Sequence, residues 1–430
     1  MENQDFEKPQ SFFQTTTAKM IMVGLLTLVL LLPLSFVQNL ITERSQRQSE
    51  VVAETTSKWG ESVYFYGPIL KIPYKDPVTL KIENAYFFPE KLNNTSTAEI
   101  KTPLQRSIYK SNVFTTKMQF NGNYSNPDFS KKNVPNENIF WNKTSIVIRT
   151  TNLKSVKDEV KIKIGNTNYT FEPIRNTQAN DSIESLETGY IDINSVKNTN
   201  FNLAITYNGS KRISIAPIGK TTNAKMTSNW ASPNFNGSFI PNDKQITDKG
   251  FNATWKISHF NRPFAQENFE ALPDLSKYAF AVDFITPVDE YQQNERASKY
   301  GFLVIGLTFL IFFLIQSISK ISIHIFQYVM IGIALIMFYT LLISITEHSS
   351  FGFAYAIAGT SVVALISLYS ISILKDRKFP TFIGLSLSVL YTFIYVIIQL
   401  EDYALLVGSI GLFLILAAVM YFSRKIEWNK

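Results

Sequence analysis

The chain has 430 residues, enough for two or three domains, and a formal net charge of +7. Apolar residues make up 46% and aromatics 14% against 17% charged, which excludes a disordered or collagen-like chain. The absence of cysteine excludes disulfides, Cys-ligated zinc, iron–sulfur clusters and thiol nucleophiles, and three scattered histidines leave little for a His-based metal site.

The first apolar run extends from Met20 to Val37, within a predicted transmembrane helix over 20–40 that follows a cytoplasmic N-terminus, 1–19. It spans a bilayer, for which about 20 apolar residues are needed. A cleavable signal peptide is the competing reading, because Lys8 and Lys19 precede the run. The run exceeds a usual apolar region of about 7–15 residues, and Gln38 to Glu43 offer no small-x-small cleavage site. Leu40–Trp59 is predicted to extend the helix beyond the membrane.

Residues 41–299 carry most of the charge, with no dense Lys/Arg stripe, so no nucleic-acid partner is expected. The pattern there is period two, as in Val160 to Ile164, Phe201 to Ile205 and Phe251 to Ile257. Turn signals stand at Gly165-Asn166, Asn208-Gly209, Asn236-Gly237 and Pro241-Asn242-Asp243. This predicts short half-buried strands in an antiparallel sandwich or a pair of β-subdomains. Val288–Lys299 is polar and predicted to lead helically into the next span.

Five further spans follow, at about 300–317, 326–345, 352–374, 380–399 and 403–422. The connectors after spans two and four carry Lys320 and Lys375, Arg377 and Lys378, and Arg424, Lys425 and Lys430 follow span six. The other two connectors carry Glu347-His348 and Glu401-Asp402, without Lys or Arg. Basic residues thus alternate loop by loop, which predicts both termini inside and residues 41–299 outside. The expected architecture is a membrane α-helical bundle of six transmembrane helices. A large β-rich, sandwich-like periplasmic domain (41–299) is inserted between helices 1 and 2. A five-helix region (300–422) and a cytoplasmic C-terminus (423–430) complete the chain.

Several stretches resemble one family in order along the chain. They include Tyr86 to Leu92, Arg106 to Lys110, Gly219-Lys220 and Ser228 to Pro233. Gly237 to Pro241, Ile246 to Phe251, Asn261 to Phe264 and Pro287 to Tyr291 continue the series. Gly306 to Leu310, Glu347-His348, Ser367 to Ser370 and Leu400 to Leu406 complete it within the spans. Together these are similar to the CreD family. The resemblance implies a bacterial inner-membrane protein acting in cell-envelope integrity, its gene under a two-component system answering to nutrients or envelope stress. It brings no reaction and no ligand, so no catalytic residue or cofactor carries over. One departure is Ile325 after His324, where the family pattern suggests proline.

Candidate chemistry is sparse. No span has a charged residue near its centre, which disfavours proton-coupled transport. Glu295, Glu347, His348, Glu401 and Asp402 cluster at the periplasmic mouth of the predicted bundle, and carboxylates with an imidazole suit a divalent cation or pH sensing. The plainer role of Glu347, Glu401 and Asp402 is N-capping of the helices that follow. The two turns also suggest a hairpin repeat of spans three–four and five–six.

In the outer domain, Trp230, Trp255 and Arg262 suit contact with a sugar. The plainer reading makes both tryptophans core residues and pairs Arg262 with Asp283 or Asp289. No hydrolase, zinc-protease, phosphate-loop or dinucleotide motif is present, so no enzymatic activity is expected. The expectation is a non-enzymatic envelope-integrity protein whose partners are the lipid bilayer and an envelope protein, peptidoglycan or lipid component. A transporter or channel for a small or lipidic solute is the alternative.

Overall fold

The computed structural model describes residues 16–101, 104–106, 109–174, 183–193, 199–269, 271–284, 290–319, 321–374, 378–400 and 403–424. The chain divides into two units, residues 1–49 with 288–430, and residues 50–287.

The first unit is helical. Helix α1 (Thr16–Trp59) has 44 residues, more than twice what a span needs, and continues through its polar second half. It is followed by α2 (Glu290–Lys299), α3 (Gly301–Ser319), α4 (Ile325–Thr346), α5 (Phe351–Leu374), α6 (Lys378–Gln399) and α7 (Ala404–Ser423). Six of these, all but α2, are long and apolar enough to cross a membrane. Leu26, Leu30 and Leu34, one turn apart on α1, enter a core with Phe309, Phe312, Leu335 and Tyr339. No residue of α7 is buried, and its Leu405, Phe413 and Met420 are exposed, as suits side chains facing lipid tails.

The second unit is β-rich. Its early strands are β1 (Val63–Lys75), β2 (Ile82–Phe87), β3 (Lys91–Ile100), β4 (Leu104–Arg106), β5 (Tyr109–Ser111) and β6 (Val113–Asn123). The middle comprises β7 (Ser145–Thr150), β8 (Lys161–Ile164), β9 (Thr167–Ile174), β10 (Glu184–Thr188), β11 (Asn200–Ser210) and β12 (Arg212–Ile215). The last are β13 (Thr221–Ser228), β14 (Asn234–Gly237), β15 (Asp243–Thr247), β16 (Gly250–Ser258), β17 (Glu267–Phe269) and β18 (Phe280–Asp283).

Sixteen strands form one hydrogen-bonded sheet, fourteen of them along the path β14-β18-β12-β1-β7-β10-β9-β8-β11-β6-β3-β13-β16-β15, with β2 beside β1 and β17 beside β2. The path has two halves that meet at β9, whose residues 167–170 pair with β8 and 171–174 with β10. Aromatic pairs join the halves face to face. Phe65 of β1 stacks on Phe120 of β6 at 4.1 Å, and Trp255 of β16 on Phe280 of β18 at 4.9 Å. The sheet therefore closes as a sandwich on an aromatic core.

Strand β8 alternates exposed and buried residues, as its Lys-Ile-Lys-Ile sequence dictates. The first eight residues of β1 are all buried, matching their near-continuous apolar run. Two pairings are parallel, β1 with β12 and β3 with β13, a difference from the purely antiparallel expectation. Alternation reports which face is buried and says nothing about strand direction.

Asn208-Gly209, expected to be a turn, lies inside β11, which pairs with β6 through Ser210. Gly209 is there for close approach. A Cβ on it would stand 2.5 Å from Cε2 of Phe114 and 2.9 Å from Cγ2 of Val63. The corner is two residues after Gly209, at Lys211, in the left-handed region with φ 63°. There the chain passes from one half of the sandwich to the other, since β11 pairs with β6 and β8 while β12 pairs with β1 and β18. Gly209→Ala is expected to destabilise the β unit by about 1–3 kcal/mol through overpacking. Thermal unfolding of the purified chain, followed by its β-type circular dichroism, checks this; an unchanged midpoint would refute the close approach.

Candidate functional site

The α4–α5 turn is built where α4 runs out of apolar residues. Glu347 is the C-cap of α4, not the N-cap of α5, and its carboxylate lies 3.7 Å from the Arg44 guanidinium of α1. A carboxylate at a helix C-terminus opposes the macrodipole, so the neighbouring cation compensates. His348 follows and is exposed. Glu295 is exposed on α2 and pairs with Lys299 one turn on, at 2.9 Å. Two of the expected mouth carboxylates are thus each engaged by a cation. Glu401 and Asp402 lie outside the described residues. Among the described residues no group of three or more Asp, Glu or His is placed to hold a metal ion.

The bundle interior is predominantly apolar and uncharged. Among the described residues no Asp, Glu, Lys, Arg or His of α3 to α7 is buried. Buried Thr and Ser hydroxyls turn back on their own helices, Thr308 to the Val304 carbonyl, Thr346 to Leu342 and Ser370 to Ile366, each at 2.6 Å. Two buried tyrosines bond between helices instead, Tyr328 donating to the Gln316 side chain of α3 at 3.0 Å and Tyr355 to the Tyr391 carbonyl of α6 at 2.8 Å. A recess of about 780 Å³ between α3, α6 and α7 is lined almost wholly by Leu, Ile, Val and Phe. A second, of about 520 Å³, lies between α5 and α6 and carries Thr360, Ser388 and Thr392.

In the β unit the sequence candidates are dispersed. Trp255 on β16 is 2% exposed, and its indole N–H donates to the Phe239 carbonyl at 3.2 Å. Trp230 follows β13, is half-buried, and donates to the Ser232 carbonyl at 2.8 Å. Arg262 is 6% exposed and does not pair with Asp283, whose carboxylate is taken by Arg212 and by the Asn236 amide. Asp289, the other expected partner, lies outside the described residues. Arg262 instead donates to the carbonyls of Phe264 (2.8 Å), Ile218 (3.3 Å) and Gly219 (3.4 Å) and to the Gln266 side chain. Its guanidinium lies 4.1 Å from the Phe264 ring centroid. Burial pushes Arg262 down to about 10, so it remains a cation at neutral pH.

The recess of chemical interest lies at the β11–β12 corner and was not foreseen in the sequence. It is a cleft of about 460 Å³ in which every lining side chain is polar. Its frame is fixed by hydrogen bonds. Thr151 Oγ1 accepts from the Tyr64 N–H at 2.9 Å and donates to the Ser62 carbonyl at 2.8 Å, which also accepts from the Asn152 amide at 3.1 Å. Glu184 at the start of β10 accepts the Leu153 N–H through Oε2 at 2.8 Å. The Ser210 N–H donates to the Glu61 carbonyl at 3.1 Å. Two of the four non-glycine residues with positive φ among the described residues, Asn152 and Lys211, line this one cleft. Such conformations carry strain and concentrate at working sites. No spacing motif announces the cleft, because its charges come from segments far apart in the chain.

Comparison with known proteins agrees with this architecture. The family described as "Inner membrane protein CreD" matches residues 15–429. A curated relative, "Inner membrane protein CreD" of Escherichia coli, is 28% identical over 418 residues, 93% of this chain and 91% of that protein. Among solved structures, a putative nutrient binding protein from Legionella pneumophila aligns with a TM-score of 0.26 and 10% identity, over 59% of this chain and 79% of that one. A mutant M1 zinc metallopeptidase from Deinococcus radiodurans aligns with a TM-score of 0.20 and 8% identity, over 40% of this chain and 38% of that one. Scores this low carry no argument about fold or activity. The match over nearly the whole length, on six membrane-type helices with a β unit after the first, shows that the chain belongs to the CreD family of inner membrane proteins.

Proposed function

We propose that this protein is a non-enzymatic inner-membrane factor that maintains cell-envelope integrity. Its β unit engages a component of the envelope through the polar cleft, and the helical bundle anchors that unit. The same reading puts the β unit in the periplasm and both termini in the cytoplasm, following the loop-by-loop alternation of basic residues. The envelope role itself is what family membership implies.

The observation that carries the proposal is a contrast in polarity. The β unit has a recess lined only by polar side chains, while the described bundle core buries no charge. A transporter for an ionic or strongly polar solute would need polar groups aimed into a path. Here Thr308, Thr346 and Ser370 spend their hydroxyls on their own helices.

The test replaces Glu61, Lys154 and Lys211 together by Gln, Gln and Asn in cells lacking the native copy, with membrane levels checked by immunoblot. Sensitivity to detergents and bile salts is expected to rise to that of the null strain. Full protection by a variant present at normal level would reject the proposal.

A further inference from the structure

We infer that the cleft at the β11–β12 corner binds a zwitterionic ligand, one bearing a carboxylate and an ammonium group, of the size of an amino acid or short peptide. This rests on the proposed function and names the ligand class of that site.

The charges come first. The cleft carries two amines, Lys154 and Lys211, and two carboxylates, Glu61 and Glu184. Ion pairs form elsewhere in this unit, as between Lys71 and Glu187 at 2.9 Å and between Lys220 and Glu90 at 3.0 Å. Lys154, Lys211 and Glu61 make none among the described residues, although both signs line one recess. Glu184 is fixed through Oε2 by the Leu153 N–H, which leaves Oε1 for a ligand. A purely anionic ligand would meet the two carboxylates and a purely cationic one the two amines. A ligand with both charges finds complementary groups for each.

The lining decides against other classes. Small-molecule pockets are mostly apolar, and this one has no apolar side chain and no aromatic ring on which a sugar face would stack. Recognition must come from charge and hydrogen bonding, which suits a small polar ligand.

The third observation is independent of the charges. Ser210 belongs to the cleft wall, is 0% exposed, and its hydroxyl has no hydrogen-bond partner among the described residues. Buried hydroxyls are ordinarily satisfied, so an orphan in the wall of a polar recess keeps a donor and an acceptor for a ligand group that reaches it. The neighbouring left-handed corner at Lys211 turns the chain there, and the Thr151–Ser62–Asn152 hydrogen bonds hold another part of the lining. The frame is therefore preorganised, which lowers the ordering cost of binding.

The test measures binding of glycylglycine to the full chain in nanodiscs by saturation-transfer NMR and titration calorimetry, beside its N-acetylated and C-amidated forms. Glycylglycine is expected to saturate, and each blocked form to bind about tenfold more weakly for the loss of one charged contact. In Lys154→Gln and in Lys211→Asn, amidation should cost less than in the parent, because a partner of the carboxylate has gone. Lys154→Gln sits at an ordinary backbone position and keeps the test valid if the corner variant misfolds. Equal binding of free and blocked peptides, or no saturation, would overturn the ligand class. If that happened while the cleft variants still lost envelope protection, the proposed function would stand without this ligand. If glycylglycine bound as described and the variants still protected fully, the ligand class would stand and the proposed function would fall.

Discussion

Replacing Trp255 by alanine is expected to destabilise the β unit by about 3–5 kcal/mol, the range for deleting a fully buried large aromatic. The indole lies between the two halves of the sandwich, stacked on Phe280 with centroids 4.9 Å apart and edge-on to Phe235 at 6.0 Å. Its β-ladder partner on β13 is Ala224, too small to fill the space it would leave. The Phe239 carbonyl would also lose its donor. For a unit of this size the midpoint of thermal unfolding should fall by about 6–20 °C. Trp255→Phe keeps one ring for the stack but loses the N–H and part of the indole volume, so its cost should stay near about 1–3 kcal/mol. A sugar-binding role would give the opposite order: a small stability change, with loss of ligand contact in both variants. A Trp255→Ala midpoint within about 2 °C of the parent would show that the ring is not a core element. Trp230 is the contrast, half-buried with its N–H held only two residues away, so its removal should cost less.

Much of this architecture was legible because two strong patterns coincide with it. A bilayer demands about 20 apolar residues per helix, and Met20 to Val37 and the five later runs meet that demand directly. Strand-length alternation marks β8 and β16 because one face of each is buried. Sheet order was not legible. The β3–β13 register pairs Leu92 with Thr222, 130 positions apart, and such choices are made by packing between distant segments. Asn208-Gly209 misled because Asn-Gly is the commonest hairpin signal, while here the glycine serves a close approach to Phe114. The cleft was illegible for the same reason as the sheet order. Glu61, Lys154, Glu184 and Lys211 read singly as solvated surface charges, and only the fold gathers them. Residue type did find Trp255 and Arg262, but type does not report burial.

Arg262→Met is expected to destabilise the unit by about 3–5 kcal/mol, from loss of donors to several buried acceptors at once. The guanidinium donates to Phe264, Ile218, Gly219 and Gln266, and Gln266 in turn donates to the carbonyls of Pro89 (2.7 Å) and Ile218 (3.3 Å). One side chain thus ties the segment after β2 to the approach to β13 and to the turn after β16. Methionine keeps much of the aliphatic length and supplies no donor, so the cost reports mainly the lost hydrogen bonds, together with the cation's contact on the Phe264 ring. Burial has already lowered the Arg262 pKa to about 10, which shows that desolvation of the cation is a standing cost, offset here by carbonyl dipoles and the Phe264 ring. Arg262→Lys keeps the charge, but its single ammonium cannot serve the same spread of acceptors, so it should fall between the parent and Arg262→Met. A ligand-contact role predicts the reverse, near-parental unfolding in both variants with envelope protection lost. The midpoint for Arg262→Met therefore separates the two roles: a drop of about 6–20 °C places Arg262 among the groups that hold the fold, whereas a parental midpoint would return it to the candidate contact residues.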